Sequence, residues 1–206
     1  MKHIIFYTLT TLTLTVMLTA CGTLPHETTY SPKQNTQTPT EASISSAQYS
    51  ELARQHARQL LAKQDYLGAI NLIQDEIRKG IDEQAMGKEY LQAANSSLAQ
   101  ADTFLKQGYY PKAALIFKTV QESYPQSLGL QKQVTASPMQ LADKLNLCTE
   151  KLMEEGLVAY RSGEFAIAIN VWEQVLGINP QHQVAQNSIQ TTQLQITNLK
   201  TLHNRQ

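Results

Sequence analysis

The chain has 206 residues, 17 basic and 17 acidic side chains, and no formal net charge. Nothing in that balance suggests a protein that grips nucleic acid through its phosphates, because such binding is dominated by Lys and Arg. Two cysteines, Cys21 and Cys148, allow at most one internal disulfide.

Lys2 and His3 open the chain, and residues 4–18 form a Thr-laced apolar run of the length expected for the core of a secretory signal. A spanning helix needs about 20 predominantly apolar residues, and this run is too short and too rich in Thr. It closes on Leu18-Thr19-Ala20-Cys21. The tetrapeptide resembles the lipobox of bacterial lipoproteins. The resemblance implies cleavage before Cys21, a diacylglyceryl thioether on its sulfur and acylation of the new amino terminus. Residues 1–20 are then a signal peptide, and Cys21 is the lipidation site and membrane anchor. The covalent lipid is the only prosthetic group implied. Several acyl chains on one residue make release negligible on a cellular timescale. In that family an Asp after the cysteine is the usual inner-membrane retention signal. Gly22-Thr23 stands here, which implies the outer membrane, facing the periplasm. Removing residues 1–20 takes away Lys2 alone and leaves 16 basic against 17 acidic side chains. With Cys21 lipidated, Cys148 has no internal disulfide partner. The reading favours a buried small hydrophobe over a link between chains.

Residues 22–47 are rich in Thr, Ser, Pro and Gln and poor in aliphatics. Such a segment cannot bury enough apolar area to offset its ordering entropy, so it reads as a flexible tether. A coil of that length spans roughly 28 Å on average and stretches to about 85 Å.

Residues 48–206 carry helical periodicity and no strand alternation, which predicts one all-α domain. Self-similarity organises it. In residues 152–180, Gly156 and Ala159 are small, Gly163 ends a first helix and Phe165 begins a second. Ala168, Trp172 and Leu176 follow, and Asn179-Pro180 stops the second helix. Ala101, Phe104, Gly108, Tyr110, Ala113, Phe117, Val120 and Pro125 repeat the spacing. A third copy has Ala57, Leu60, Tyr66, Ala69, Ile73 and Ile77, with Gln64 in place of the turn glycine. This pattern of small, glycine, aromatic, alanine, aromatic and proline positions resembles the tetratricopeptide (TPR) repeat. The resemblance implies a short α-solenoid of helical hairpins, over about residues 50–81, 82–125 and 137–180.

The copies depart from the family's 34-residue period, with Gly108 and Gly163 lying 55 residues apart. Residues 126–136 read as a loop, and Ser137-Pro138 as a helix start. From there Leu141, Leu145, Cys148, Leu152, Gly156 and Ala159 keep one stripe. Met86, Tyr90, Ala93, Ala101 and Phe104 do the same upstream, with Ser97 as the polar exception. Both first helices therefore run about three turns longer than the family standard. They are expected to pack side by side with one end projecting as a surface for partners. Residues 181–204, with Val184, Ala185, Ile189, Ile196 and Leu199 on one side, read as a capping helix.

No local motif for catalysis is present: no HExxH, no G-x-S-x-G, no phosphate-cradling glycine loop and no CxxC. His56, His182 and His203 are scattered, and the acidic pairs read as solvated helix faces, so neither an enzyme nor a metal site is expected. What remains is binding. In the TPR family the first helices line a groove that grips a peptide. By register, that implies a peptide-binding set of Arg54, Arg58 and Leu61; Leu98, Asp102, Leu105 and Lys106; and Met153, Leu157, Tyr160 and Arg161. Arg58, Lys106 and Arg161 occupy comparable places and form a row suited to an acidic peptide or carboxylate. The sequence thus reads as a lipid-anchored periplasmic adaptor that binds another envelope protein, resembling pilotins of secretin and pilus systems or lipoproteins that dock peptidoglycan enzymes. The alternative is a structural lipoprotein that self-associates through the projecting helix ends or Cys148. The membrane is met through the lipid anchor only.

Overall fold

The computed structural model describes residues 45–204. The signal peptide, Cys21 and nearly all of the tether lie outside the described residues. Eight helices and no strand occur among the described residues: α1 (Ser46–Ala62), α2 (Tyr66–Arg78), α3 (Glu83–Lys106), α4 (Tyr110–Glu122), α5 (Leu128–Gln131), α6 (Pro138–Arg161), α7 (Phe165–Ile178) and α8 (Gln183–His203). None is long and apolar enough to cross a membrane. The fold is all-α and is built from three helical hairpins, α1–α2, α3–α4 and α6–α7, with α8 packed on α7. Helix α1 begins two residues inside the segment read as tether. Ser45 and Gln48 form a capping box there that supplies the donors and acceptors a helix start lacks.

Each hairpin turns in the same way. Gln64, Gly108 and Gly163 hold left-handed backbone, at φ 59°, 79° and 80°. The next N–H, of Asp65, Tyr109 or Glu164, donates back to the carbonyl of Leu60, Phe104 or Ala159 at 3.0, 2.9 and 2.9 Å. This is the Schellman closure, which uses up helix-end carbonyls and favours glycine because a Cβ crowds that backbone region. Gln64 adopts the glycine conformation without being one. After the turn, Asp65 caps α2 by accepting from Gly68 N–H at 2.9 Å, whereas Pro111 serves in the first turn of α4.

The 126–136 segment carries the single helical turn α5 where a plain loop is expected, and it is laid along α3. Glu83 accepts from the N–H groups of Gln126 and Ser127, both at 2.9 Å. Leu130 packs over Gly87. Asn95 donates to the Gln133 carbonyl at 3.0 Å and accepts from Thr135 N–H at 2.9 Å. The extended start of α3 is thereby covered, with Met86, Gly87, Glu89 and Tyr90 all buried. It does not project as a free surface. The start of α6 is covered as well, since Leu141, Leu145 and Cys148 are buried. Nor do α3 and α6 pack along each other: α4 contacts both, and Asp102 of α3 pairs with Lys144 of α6.

Two clusters of buried side chains result. The first joins α1–α4 with residues 134–148 and centres on Ile70, Ile73, Met86, Phe117 and Leu141. The second comprises Leu152, Ala159, Ala168, Trp172, Val175 and Ala185. Helix α6 serves both, through its first half in one and its second half in the other. Tyr110 and Ile178, packed against both clusters, stitch them together. Lys118 of α4 adds a polar tie by donating to the carbonyls of Gly177 and Ile178, which end α7. Cys148 is a free, fully buried thiol. A link between chains through its sulfur is closed off by packing.

Candidate functional site

The second half of α6 and the face of α8 leave a groove of about 280 Å³ between them, over Leu157, Tyr160, Trp172, Val184, Asn187, Ser188, Thr191 and Thr192. Its floor follows from one small residue. A Cβ on Gly156 would lie 2.6 Å from the Cδ1 atom of Trp172, so only glycine admits the indole there. The ring is oriented by its Nε1–H, which donates to the Met153 carbonyl at 3.4 Å. Tyr160 tilts against both Trp172 and Phe165, at centroid separations of 6.1 and 5.4 Å. Its hydroxyl donates to Gln195 Oε1 of α8 at 3.3 Å. The α8 wall starts from His182, whose Nδ1 accepts from Ala185 N–H at 3.2 Å and caps the helix. Leu157 and Val184 stay 41% and 60% exposed at the mouth. The groove has an aromatic floor, aliphatic lips and a rim of Asn, Ser and Thr. That combination suits a peptide segment with one or two apolar anchors and its backbone along the rim.

Of the residues expected to bind, Leu157 and Tyr160 line this groove, Met153 is half-buried against the second cluster, and Arg161 is exposed. Two expectations fail outright. Leu61 is 7% and Leu98 2% exposed, and both belong to the first core. The TPR register, drawn for first helices of standard length, turned them outward. Leu105 is half-buried against the same core. Asp102 is engaged with Lys144, whose ammonium also sits 5.1 Å from the Phe117 ring centroid.

The row of three cations is also broken. The Arg58 Nε–H donates to Glu89 Oε1 at 2.7 Å, and its Nη1 reaches Glu51 at 3.4 Å. The Glu89 side chain is only 4% exposed. Arg58 therefore fastens α1 to α3 by neutralising a buried carboxylate. The Glu89 carboxylate beside it holds the Arg58 guanidinium above its usual range. Arg54 is tied to Glu51. Lys106 and Arg161 are exposed and make no ion pair among the described residues.

The α8 wall was missed by sequence reasoning. Ala185 and Thr192, small and seven apart, mark the inward face of α8, and residues 184, 187, 188 and 191 flank that face. Two residues of the predicted capping stripe, Val184 and Leu199, are exposed instead of covered. Among the described residues no group of three or more His, Cys, Asp or Glu side chains is placed to hold a metal ion. Glu154 pairs with Lys151 at 2.9 Å along the surface of α6, and Glu155 beside it is exposed. Comparison with protein-family models, with curated proteins and with solved structures finds no match to this chain.

Proposed function

We propose that this chain is a lipid-anchored adaptor of the outer membrane, facing the periplasm, whose TPR-like hairpin array holds a segment of another envelope protein in the α6–α8 groove. The observation that carries the reading is the groove itself: an aromatic floor fixed by packing, with the aliphatic lips Leu157 and Val184 left exposed. A contiguous apolar surface rimmed by polar groups is the signature of a protein contact. The anchor half of the proposal rests on Leu18-Thr19-Ala20-Cys21 and its lipobox resemblance, and the array half on three hairpins closed by one turn geometry. Lys106 and Arg161 remain as the cations available to an acidic segment, while Arg58 is structural.

The test is photo-crosslinking in cells, with a reactive side chain at position 157 or 184 and, as control, at Leu115, an exposed position on α4 outside the groove. One envelope protein captured from 157 and 184 and absent from 115 supports the proposal. Equal capture from all three positions, or none from any, overturns it. Capture of this chain alone moves the self-associating structural lipoprotein ahead, for which Leu194 and Leu202, exposed on α8, supply a surface.

A further inference from the structure

The two long first helices correspond position for position, and the face that is covered on one is open on the other. Helices α3 and α6 both have 24 residues. The 55-residue offset that relates Gly108 to Gly163 also relates Glu83 to Pro138 and Pro125 to Pro180. On α3 the chain's own 126–136 segment covers the face that includes Gly87, Leu91 and Asn95. Leu130 sits over Gly87, and Asn95 holds the segment's backbone at Gln133 and Thr135. The corresponding residues on α6 are Ala142, Asn146 and Glu150, four apart and therefore on one face. All three line a cavity of about 350 Å³. No described segment lies over them, because only Gln181 and His182 separate Pro180 from the start of α8. The chain does not cross back over α6 as it does over α3.

The residues of the open face define what fits it. Ala142, Leu145 and Ile178 supply the apolar part of its lining, the counterpart of the seat under Leu130, and Gln121 and Asn146 bring amides. Glu150 changes the chemistry. Asn95 both donates and accepts, whereas a carboxylate only accepts, so an occupant has to bring a donor to that position. The surrounding charges select a cationic one. Asp143 and Glu150 are exposed and make no ion pair among the described residues. Lys144 and Lys151 are already paired with Asp102 and Glu154, and Lys118 donates to the carbonyls that end α7.

We propose that this face of α6 docks a segment of a partner protein, which lies on it as 126–136 lies on α3. An apolar side chain of the segment sits over Ala142, and a Lys or Arg donates to Glu150. The site is separate from the α6–α8 groove and stands whether or not that groove is occupied.

The probe is a peptide of residues 126–136 with blocked ends and Gln133→Lys, since residue 133 lies beside Asn95 on α3 and so beside Glu150 on α6. It is titrated into the full chain labelled at its Ala, Leu and Ile methyl groups, and the NMR signals are followed. The expected result is a saturable movement of the Ala142, Leu145 and Ile178 signals, with Leu91 and Leu130 unmoved. Leu130→Asp in the peptide weakens the response at least about tenfold. Glu150→Lys in the chain does the same, and at an exposed position it leaves the fold intact. No saturable shift, or a response that survives either change, overturns the proposal. Movement of Leu91 and Leu130 means that the peptide exchanges with the chain's own segment on α3, and also overturns it. Without peptide, movement of the α6 signals on dilution assigns the face to a second copy. Movement on replacing residues 22–44 by a Gly/Ser stretch of equal length assigns it to the chain's own tether. Either result overturns the partner segment.

Discussion

Two regions of this molecule start from the same hairpin and end with different cores. Around α1–α4 and the first half of α6, every hairpin helix is covered on more than one side, and the extra segment 126–136 covers what the long α3 would otherwise expose. Around the second half of α6, α7 and α8, packing is thinner: six buried side chains, with Val158, Ile167, Val184 and Leu194 more than half exposed around them. The difference teaches that hairpin geometry alone does not set stability. What sets it is whether a neighbouring element closes the second side, which is the logic of repeat arrays, whose units contact only their neighbours. The less covered end is also the one that carries the α6–α8 groove of the proposed partner contact.

The comparison breaks most completely at Phe117. It lies at the centre of the first cluster and is fully buried. Phe117→Ala is expected to cost about 3–5 kcal/mol. Because α6 runs from that cluster into the second, both regions should melt together, as circular dichroism followed alongside Trp172 fluorescence would show.

A second test uses alkali and acts on the first region only. Burial pushes the Cys148 thiol up to about 11 and the Tyr90 hydroxyl up to about 12. Both groups are neutral when folded, so the unfolded chain loses these protons first and stability falls with rising pH. The Cys148 contribution is complete below about pH 9 and lost as pH rises through about 11, roughly 2–3 kcal/mol at about 1.4 kcal/mol per pH unit. Denaturant melts between pH 8 and 11 should show that slope, and Cys148→Ala should remove its first part.

The second region has its own handle in Gly156. Gly156→Ala gains helix propensity and forces the indole of Trp172 out of its seat, with a net loss of about 1–2 kcal/mol. Emission of Trp172, the chain's single tryptophan, should shift to the red while the first region keeps its melting profile.

The smallest expected effect sharpens the likeness between the hairpins. Gln64→Gly relieves a side chain from left-handed backbone and should stabilise by about 0.5–1 kcal/mol, whereas Gly163→Ala, at the matching place, should destabilise by a similar amount. A pair of thermal melts decides it.

Much of the fold was legible in the chain, and the legible parts share a cause. Gly108, Gly163 and the Ser137-Pro138 start act through their own backbone within a few residues, so spacing alone revealed them. Gln64 was legible as the occupant of a glycine position, and its φ of 59° bears that out. Cys148 was expected to be buried and is. Ser97, the polar exception on the α3 stripe, is fully buried with its hydroxyl unpartnered. What sequence reading missed depends on partners far along the chain. Arg58 read as a free cation because Glu89 stands 31 residues away. The 126–136 segment read as a plain loop because Glu83 and Asn95, which hold its backbone, lie some 40 residues upstream. The groove was half visible: Leu157 and Tyr160 were in view, and the α8 wall opposite them was read only as a cap.

The most direct test of the two-region account is native-state hydrogen exchange on the intact chain. It compares the slowest amides of α3 and α4 with those of α7 and α8. The account predicts that α7 and α8 open at least about tenfold more readily, about 1.4 kcal/mol below the global unfolding free energy reported by α3 and α4. Equal protection across all four helices would contradict it and make the molecule a single cooperative core with no end set aside for a partner.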